Sequence, residues 1–136
     1  MALSVHHVGI AVSDLDTSIE QYAVLFGAVV EHRQVVEEQG VEAASLRVGG
    51  SRLELLRALG PDTPVGSFLE KRGPGLHHVA FEVADLDAEL ERLRARGVRL
   101  IDESPRIGMF GLQVAFIHPE ATGGVLAEFV RDDFFN

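Results

Sequence analysis

Hydrophobic and polar positions alternate with period two through Ser4–Val12 and again through Leu76–Val83, and each run is followed by apolar positions at helical spacing. In the first case Ser13 and Asp14 mark a helix start, Ile19, Tyr22, Ala23 and Phe26 fall on one helix face, and Gly27 is the natural stop. In the second, Leu86, Leu90 and Leu93 mark the helix and Gly97 its end. Strands are predicted at Ala28–Val36, Glu42–Val48 and Arg52–Arg57, with turns at Gln39-Gly40 and Gly49-Gly50-Ser51. Three more are predicted at Val98–Asp102, Leu112–His118 and Val125–Arg131. Between the halves lie Gly60-Pro61-Asp62-Thr63-Pro64, a short helix through Phe68-Leu69-Glu70, and Gly73-Pro74-Gly75. The order is βαβββ twice: one module over about 3–58, a connector over about 59–74 and a second module over about 75–131. Each half is too small to build its own full core, so a single domain spanning 1–136 is expected.

The two halves also share words. Val-His-His-Val at His6 and His7 returns as Leu-His-His-Val at His77 and His78, 71 residues on, and Asp14-Leu15-Asp16 returns as Asp85-Leu86-Asp87 at the same offset. Strand parity separates the histidines. His6 shares a face with Val8, Ile10 and Val12, and His77 with Val79, Phe81 and Val83; these bulky faces should meet the helices. His7 stands with Gly9 and Ala11, and His78 with Ala80 and Glu82, so small neighbours leave room beside one imidazole per module. The last strand of each module adds an acid among apolar residues, Glu54 in Leu53-Glu54-Leu55-Leu56 and Glu128 in Ala127-Glu128-Phe129-Val130. A carboxylate in such a run is costly to bury unless it is paired or bound to a cation.

His7, Glu54, His78 and Glu128 therefore form a candidate metal set. The chain has no cysteine, so only nitrogen and oxygen donors are available, which suits Co²⁺, Mn²⁺, Ni²⁺, Zn²⁺ or Mg²⁺. Four protein ligands leave an octahedral ion two positions, enough to chelate a substrate through two oxygens. The net charge of −9 argues against nucleic acid as a partner. No apolar run approaches the length of a membrane span, and a cytoplasmic protein is expected.

With these features the chain resembles the vicinal oxygen chelate (glyoxalase) superfamily, and within it the methylmalonyl-CoA epimerases. The residues that carry the resemblance are His6-His7-Val8-Gly9-Ile10-Ala11, Glu38-Gln39-Gly40-Val41, Leu53-Glu54-Leu55-Leu56 and Leu59-Gly60-Pro61-Asp62-Thr63-Pro64. It continues through Phe68-Leu69-Glu70-Lys71, Gly75-Leu76-His77-His78-Val79-Ala80, Val98-Arg99-Leu100-Ile101, His118-Pro119 and Gly123-Gly124-Val125-Leu126-Ala127-Glu128. The resemblance implies an α+β fold in which the two βαβββ modules form one cupped, mostly antiparallel sheet. It implies an isomerase that interconverts the epimers of 2-methylmalonyl-CoA by 1,1-proton transfer through a metal-stabilised enolate. By position, His7, Glu54, His78 and Glu128 match the ligands, Co²⁺ is the favoured ion, Glu128 also matches a catalytic proton carrier, and a homodimer is the family habit.

Three positions depart from the family pattern. A second catalytic glutamate of some members falls at Ala43 here, with Glu42 beside it on the opposite, helix-facing parity; a solvated Glu42 at the strand start is expected, and its service as second base would need a bulge. Glu120 replaces a lysine, and the bulky Phe110 stands where a small residue is usual. Arg47, Arg52, Arg57, Lys71, Arg72 and Arg106 are available for CoA phosphates. The competing functions are a glyoxalase I-type lyase or other enzyme of the superfamily, and a non-catalytic small-molecule-binding member.

Overall fold

The computed structural model describes residues 1–132. The chain divides into two compact units, one formed by His7–His77 and the other by Met1–His6 with the chain from His78 onward. The cuts fall inside the two His-His pairs rather than in the connector, so the halves of the repeat and the compact units are offset by one strand end.

The first unit carries β1 (Ser4–Ala11, from His7), α1 (Leu15–Phe26), β2 (Val29–Val36), β3 (Val41–Val48), β4 (Ser51–Ala58) and α2 (Pro64–Arg72). Asp14 caps α1 by accepting the Thr17 N–H at 3.0 Å, an interaction worth about 1 kcal/mol. Gly27 closes it in the left-handed region at φ +69, its N–H directed to the Ala23 and Tyr22 carbonyls. β3 and β4 are joined by a two-residue turn in which Gly49 takes φ +58, as the twist of a tight hairpin demands. Within this unit the strand order is β2-β3-β4-β1, with β1 parallel to β4 and the other pairs antiparallel. Val12, Ala44, Leu46 and Leu55, with Ile10 and Leu53, pack against Leu15, Ile19 and Tyr22 of α1, the face that parity assigned to the helix. α2 starts at Thr63, which accepts the Gly66 N–H and donates to the Gly60 carbonyl. A side chain at Gly66 would meet that carbonyl at 2.3 Å, so the turn requires glycine there.

The second unit carries β5 (Gly75–Glu82, from His78), α3 (Leu86–Ala95), β6 (Arg106–Ile107), β7 (Gln113–Ile117) and β8 (Ala127–Arg131). The order is β5-β8-β7-β6, with β5 parallel to β8 and the other pairs antiparallel. Val83, Ala115, Ile117, Ala127 and Phe129 pack on Leu86, Leu90 and Leu93 of α3. The start of the chain belongs here as well: the Leu3 N–H bonds the Glu82 carbonyl at 2.8 Å.

One predicted element is corrected. Val98–Asp102 is not a strand; its only ladder contact is an isolated bridge from Leu100 to Ile117. The Ile101 and Asp102 N–H groups both bond the Phe116 carbonyl, and the Asp102 carboxylate accepts the Phe116 N–H at 2.8 Å. The aspartate side chain thus takes a donor that a ladder would have used. Strand pairing with β7 is made instead by Arg106–Ile107, beyond Pro105, and the βαβββ order survives with a very short β6.

Candidate metal centre

Each unit holds one buried histidine–glutamate pair, built the same way. In the first unit Gly9 of β1 stands beside Glu54 of β4, and His7, two residues before Gly9, shares its face. His7 Nε2 lies 3.3 Å from Glu54 Oε2. In the second unit Ala80 of β5 stands beside Glu128 of β8, and His78 precedes Ala80 by the same two residues. His78 Nε2 lies 3.9 Å from Glu128 Oε1, beyond hydrogen-bond range. All four side chains are buried. The repeated sequence therefore becomes a repeated geometry, with a nitrogen donor facing an oxygen donor across a parallel strand pair.

Burial pushes the Glu54 carboxyl up to about 7, because the charged form loses its hydration. A cation beside it would remove that penalty. Imidazole and carboxylate donors without thiolate, in buried surroundings, fit a borderline-to-hard divalent ion. On the Glu54 side the flanking residues Ala11, Ala43 and Leu56 are buried, and on the Glu128 side Ala80, Leu112, Val114 and Val130 are buried together. The faces carrying these candidate ligands are thus not lined by small residues alone. Phe116, beside Glu128 in register, sets its ring edge-on to His78 with centroids 5.8 Å apart.

The neighbouring histidines turn to other partners. His6 Nε2 meets Asp132 Oδ2 at 2.6 Å, with the Asp132 side chain wholly buried. His77 packs edge-on against Phe68 of α2, and burial lowers its pKa.

Glu42 is not the merely solvated residue expected from the sequence. It lies on the helix-side parity, in an unbroken β3–β4 register, and is held by two arginines. Arg33 Nε donates to one carboxylate oxygen at 3.1 Å, and Arg57 donates to the other from Nε at 3.1 Å and Nη2 at 3.0 Å. The Arg33 hydrogen bond, with a smaller contribution from Arg57, holds the carboxyl below its usual range. A carboxylate held this way is a weak proton acceptor.

Several of the candidate phosphate partners are also engaged. Arg47 and Arg52 both reach Glu31, at 3.4 and 3.5 Å, and Arg106 pairs with Asp102 and lies over the Phe116 ring. Arg72 lies over the Phe68 ring. Glu120 pairs with Arg99, and its N–H is capped by His118 Nδ1. Phe110 is half-buried and adopts φ +61, in the left-handed region that a bulky side chain rarely takes.

One feature of this face is not visible in simple alternation. The β2–β3 register shifts between Val30 and His32, so Glu31 is an extra residue. His32 then stands beside Ser45, which itself stands beside Glu54.

Comparison with known proteins agrees with this architecture. An ethylmalonyl-CoA/methylmalonyl-CoA epimerase of Cereibacter sphaeroides is 38% identical over 125 residues, covering 90% of this chain and 93% of the relative. The crystal structure of methylmalonyl-CoA epimerase from Mycobacterium tuberculosis superposes with a TM-score of 0.92 at 42% identity, covering 96% of this chain and 88% of that one. A variant of the Streptomyces coelicolor methylmalonyl-CoA epimerase in complex with 2-nitronate-propionyl-CoA gives 0.94 at 40% identity, covering 98% and 97%. The model of the glyoxalase/bleomycin resistance protein/dioxygenase superfamily matches residues 6–116, and with this fold and the paired His–Glu motif the chain belongs to that superfamily.

Proposed function

We infer that this chain is an epimerase that interconverts the two epimers of 2-methylmalonyl-CoA by moving one α-proton. The observation that carries the reading is the pair of equivalent buried His–Glu couples, His7 with Glu54 and His78 with Glu128, in a chain whose close relatives are methylmalonyl-CoA epimerases. His7, Glu54 and His78 make a group able to hold a divalent ion. Glu128 joins them by its correspondence with Glu54, and Co²⁺ is the favoured ion. When bound, such an ion supplies Lewis acidity toward the substrate's carboxylate and thioester oxygens.

The remaining work falls to the chain. The buried imidazoles of His7 and His78 would each offer an Nε2 lone pair to that ion, beside the carboxylates of Glu54 and Glu128. The apolar residues around both pairs exclude water, which strengthens every charge interaction made there. Glu128 carries a proton to or from the α-carbon through the carboxylate oxygen not engaged as ligand. Phe110 and Glu120, where the family pattern differs, bear on which acyl group is preferred. Among the described residues no helix is long and apolar enough to cross a membrane. A cytoplasmic homodimer is the reading that the family resemblance supports.

The test is to incubate each epimer of methylmalonyl-CoA separately in D₂O with the metal-loaded protein. Deuterium should enter the α-position and the opposite epimer should form. Absence of exchange from both epimers, with metal bound, would overturn the assignment.

A further inference from the structure

Inverting a carbon needs a proton carrier on each side of it, and Glu128 supplies one. The second is not evident at the two places where sequence would look for it: one position is Ala43, fully buried, and its neighbour Glu42 is clamped by Arg33 and Arg57. We propose that His32 is the second acid–base residue of the epimerase, brought onto the His7–Glu54 face by the bulge in β2. This rests on the epimerase reading above.

Val30 stands beside Leu46, whose side chain belongs to the α1-packed core. Plain alternation from Val30 would put Glu31 on the face of Glu54 and return His32 to the helix side. The inserted residue reverses this: His32 is opposite Ser45, Arg33 is opposite Ala44 and Gln34 is opposite Ala43. Arg33 confirms the phase, since it reaches Asp16 and Glu42 on the helix side. Bulges re-aim side chains beside active sites in this way. The bulge is pinned by its own extra residue, because the Glu31 carboxylate lies between Arg47 and Arg52, both of the Glu54 parity.

His32, Ser45, Glu54 and Gly9 thus form one row across four strands. His32 and Glu54 are two strand spacings apart, about 10 Å between backbones. The residues between them, Ser45 and in the adjoining row Ala43, are small, so a substrate fragment can lie across the gap with an imidazole on its far side. His32 is exposed on β2, where it can exchange its proton with solvent between turnovers. Imidazole is also the side chain best able to take and return a proton near neutral pH.

The step balances. In one direction the α C–H bond breaks, its proton passes to an imidazole nitrogen of His32, and the bonding pair moves into the thioester carbonyl. Glu128 in its protonated form then gives a proton to the opposite face, and the pair flows back to the carbon. The reverse direction exchanges the two roles.

The experiment is α-proton wash-out into D₂O from each epimer, measured for the metal-loaded wild type and for His32→Gln, with metal content and KM recorded. The variant should keep its metal and its KM. It should wash out one epimer at near the wild-type rate and the other about 100-fold or more slowly, the usual effect of losing a general base. The pH limb of kcat/KM that belongs to the slowed epimer should disappear. Equal wash-out of both epimers at wild-type rates overturns the proposal. So does a raised KM with both epimers slowed alike, which would make His32 a contact to the CoA arm. Wild type that exchanges neither epimer is a different result: it removes the epimerase reading, and this proposal with it.

Discussion

Glu54→Gln in the metal-free protein tests whether the candidate ligands are held ready for a cation at a cost to the fold. Burial raises the folded-state pKa of Glu54 from 4.5 to about 7. The folded state therefore binds more protons than the unfolded chain between these values, and stability falls as pH rises through that window. The penalty is complete above about 7. At 1.36 kcal/mol per pKa unit, the cost is about 3 kcal/mol at pH 8 and about 1 kcal/mol at pH 5. The side chain is 9% exposed, so solvent screening removes little of this. Glutamine keeps the shape and discards the charge, so the difference between the two proteins reads the buried carboxyl together with its His7 neighbour. The assay is urea unfolding in EDTA at pH 5 and pH 8. The variant should be the more stable protein, with an advantage that grows by about 2 kcal/mol between the two pH values, a large fraction of the stability of an ordinary domain. Added divalent metal should reverse the order at pH 8 by stabilising the ionised wild type. An advantage that does not change with pH, or a wild type that gains on the variant as pH rises, would refute the reasoning.

His78→Ala should abolish tight metal binding, whereas His77→Ala, which loses the packing on Phe68, should retain it; metal content after dialysis reads both. His6→Ala should retain metal too, but leave the fully buried Asp132 without its imidazole and destabilise the fold by about 3 kcal/mol in urea unfolding. Glu128→Gln should keep the fold, weaken metal binding moderately and remove most epimerisation. Glu42→Gln should change α-proton wash-out from either epimer by less than about 2-fold, since the clamped carboxylate is no strong base.

The repeat, the two helices and the two His–Glu pairs were legible because each rests on a local rule. Period-two alternation assigns a face, a capping aspartate and a closing glycine bound a helix, and duplication supplies the same geometry twice. The rest was not legible because it depends on which partner a backbone group finds. Asp102 turned a predicted strand into an isolated bridge by accepting the Phe116 N–H, and no propensity records that choice. Glu42 read as solvated because parity gives a face but not the arginines waiting on it from β2 and β4. His32 was passed over for the opposite reason. The parity rule is reliable only while the register is unbroken, and a single inserted residue inverts every assignment beyond it. The signal that could have found it is Glu31-His32-Arg33-Gln34, four consecutive polar residues that interrupt the alternation of an otherwise valine-rich strand.

The same contrast bears on the proposed division between ligation and proton transfer. A duplicated module yields equivalent donors, one His–Glu pair in each unit. Moving a proton from one face of a carbon to the other requires a carrier on each side. Where the repeated positions supply only one, the departures from repetition are the places to look. β2 is eight residues long with a bulge at Glu31, while the corresponding strand of the second module, β6, is two residues long. Among the described residues, then, only the first module extends a strand far enough past β3 to bring a residue such as His32 into the row of Glu54. If the ligands are the symmetric part of the site and the proton carriers the asymmetric part, variants on β2 should separate the two epimers kinetically without loss of metal, and variants at the four ligands should not.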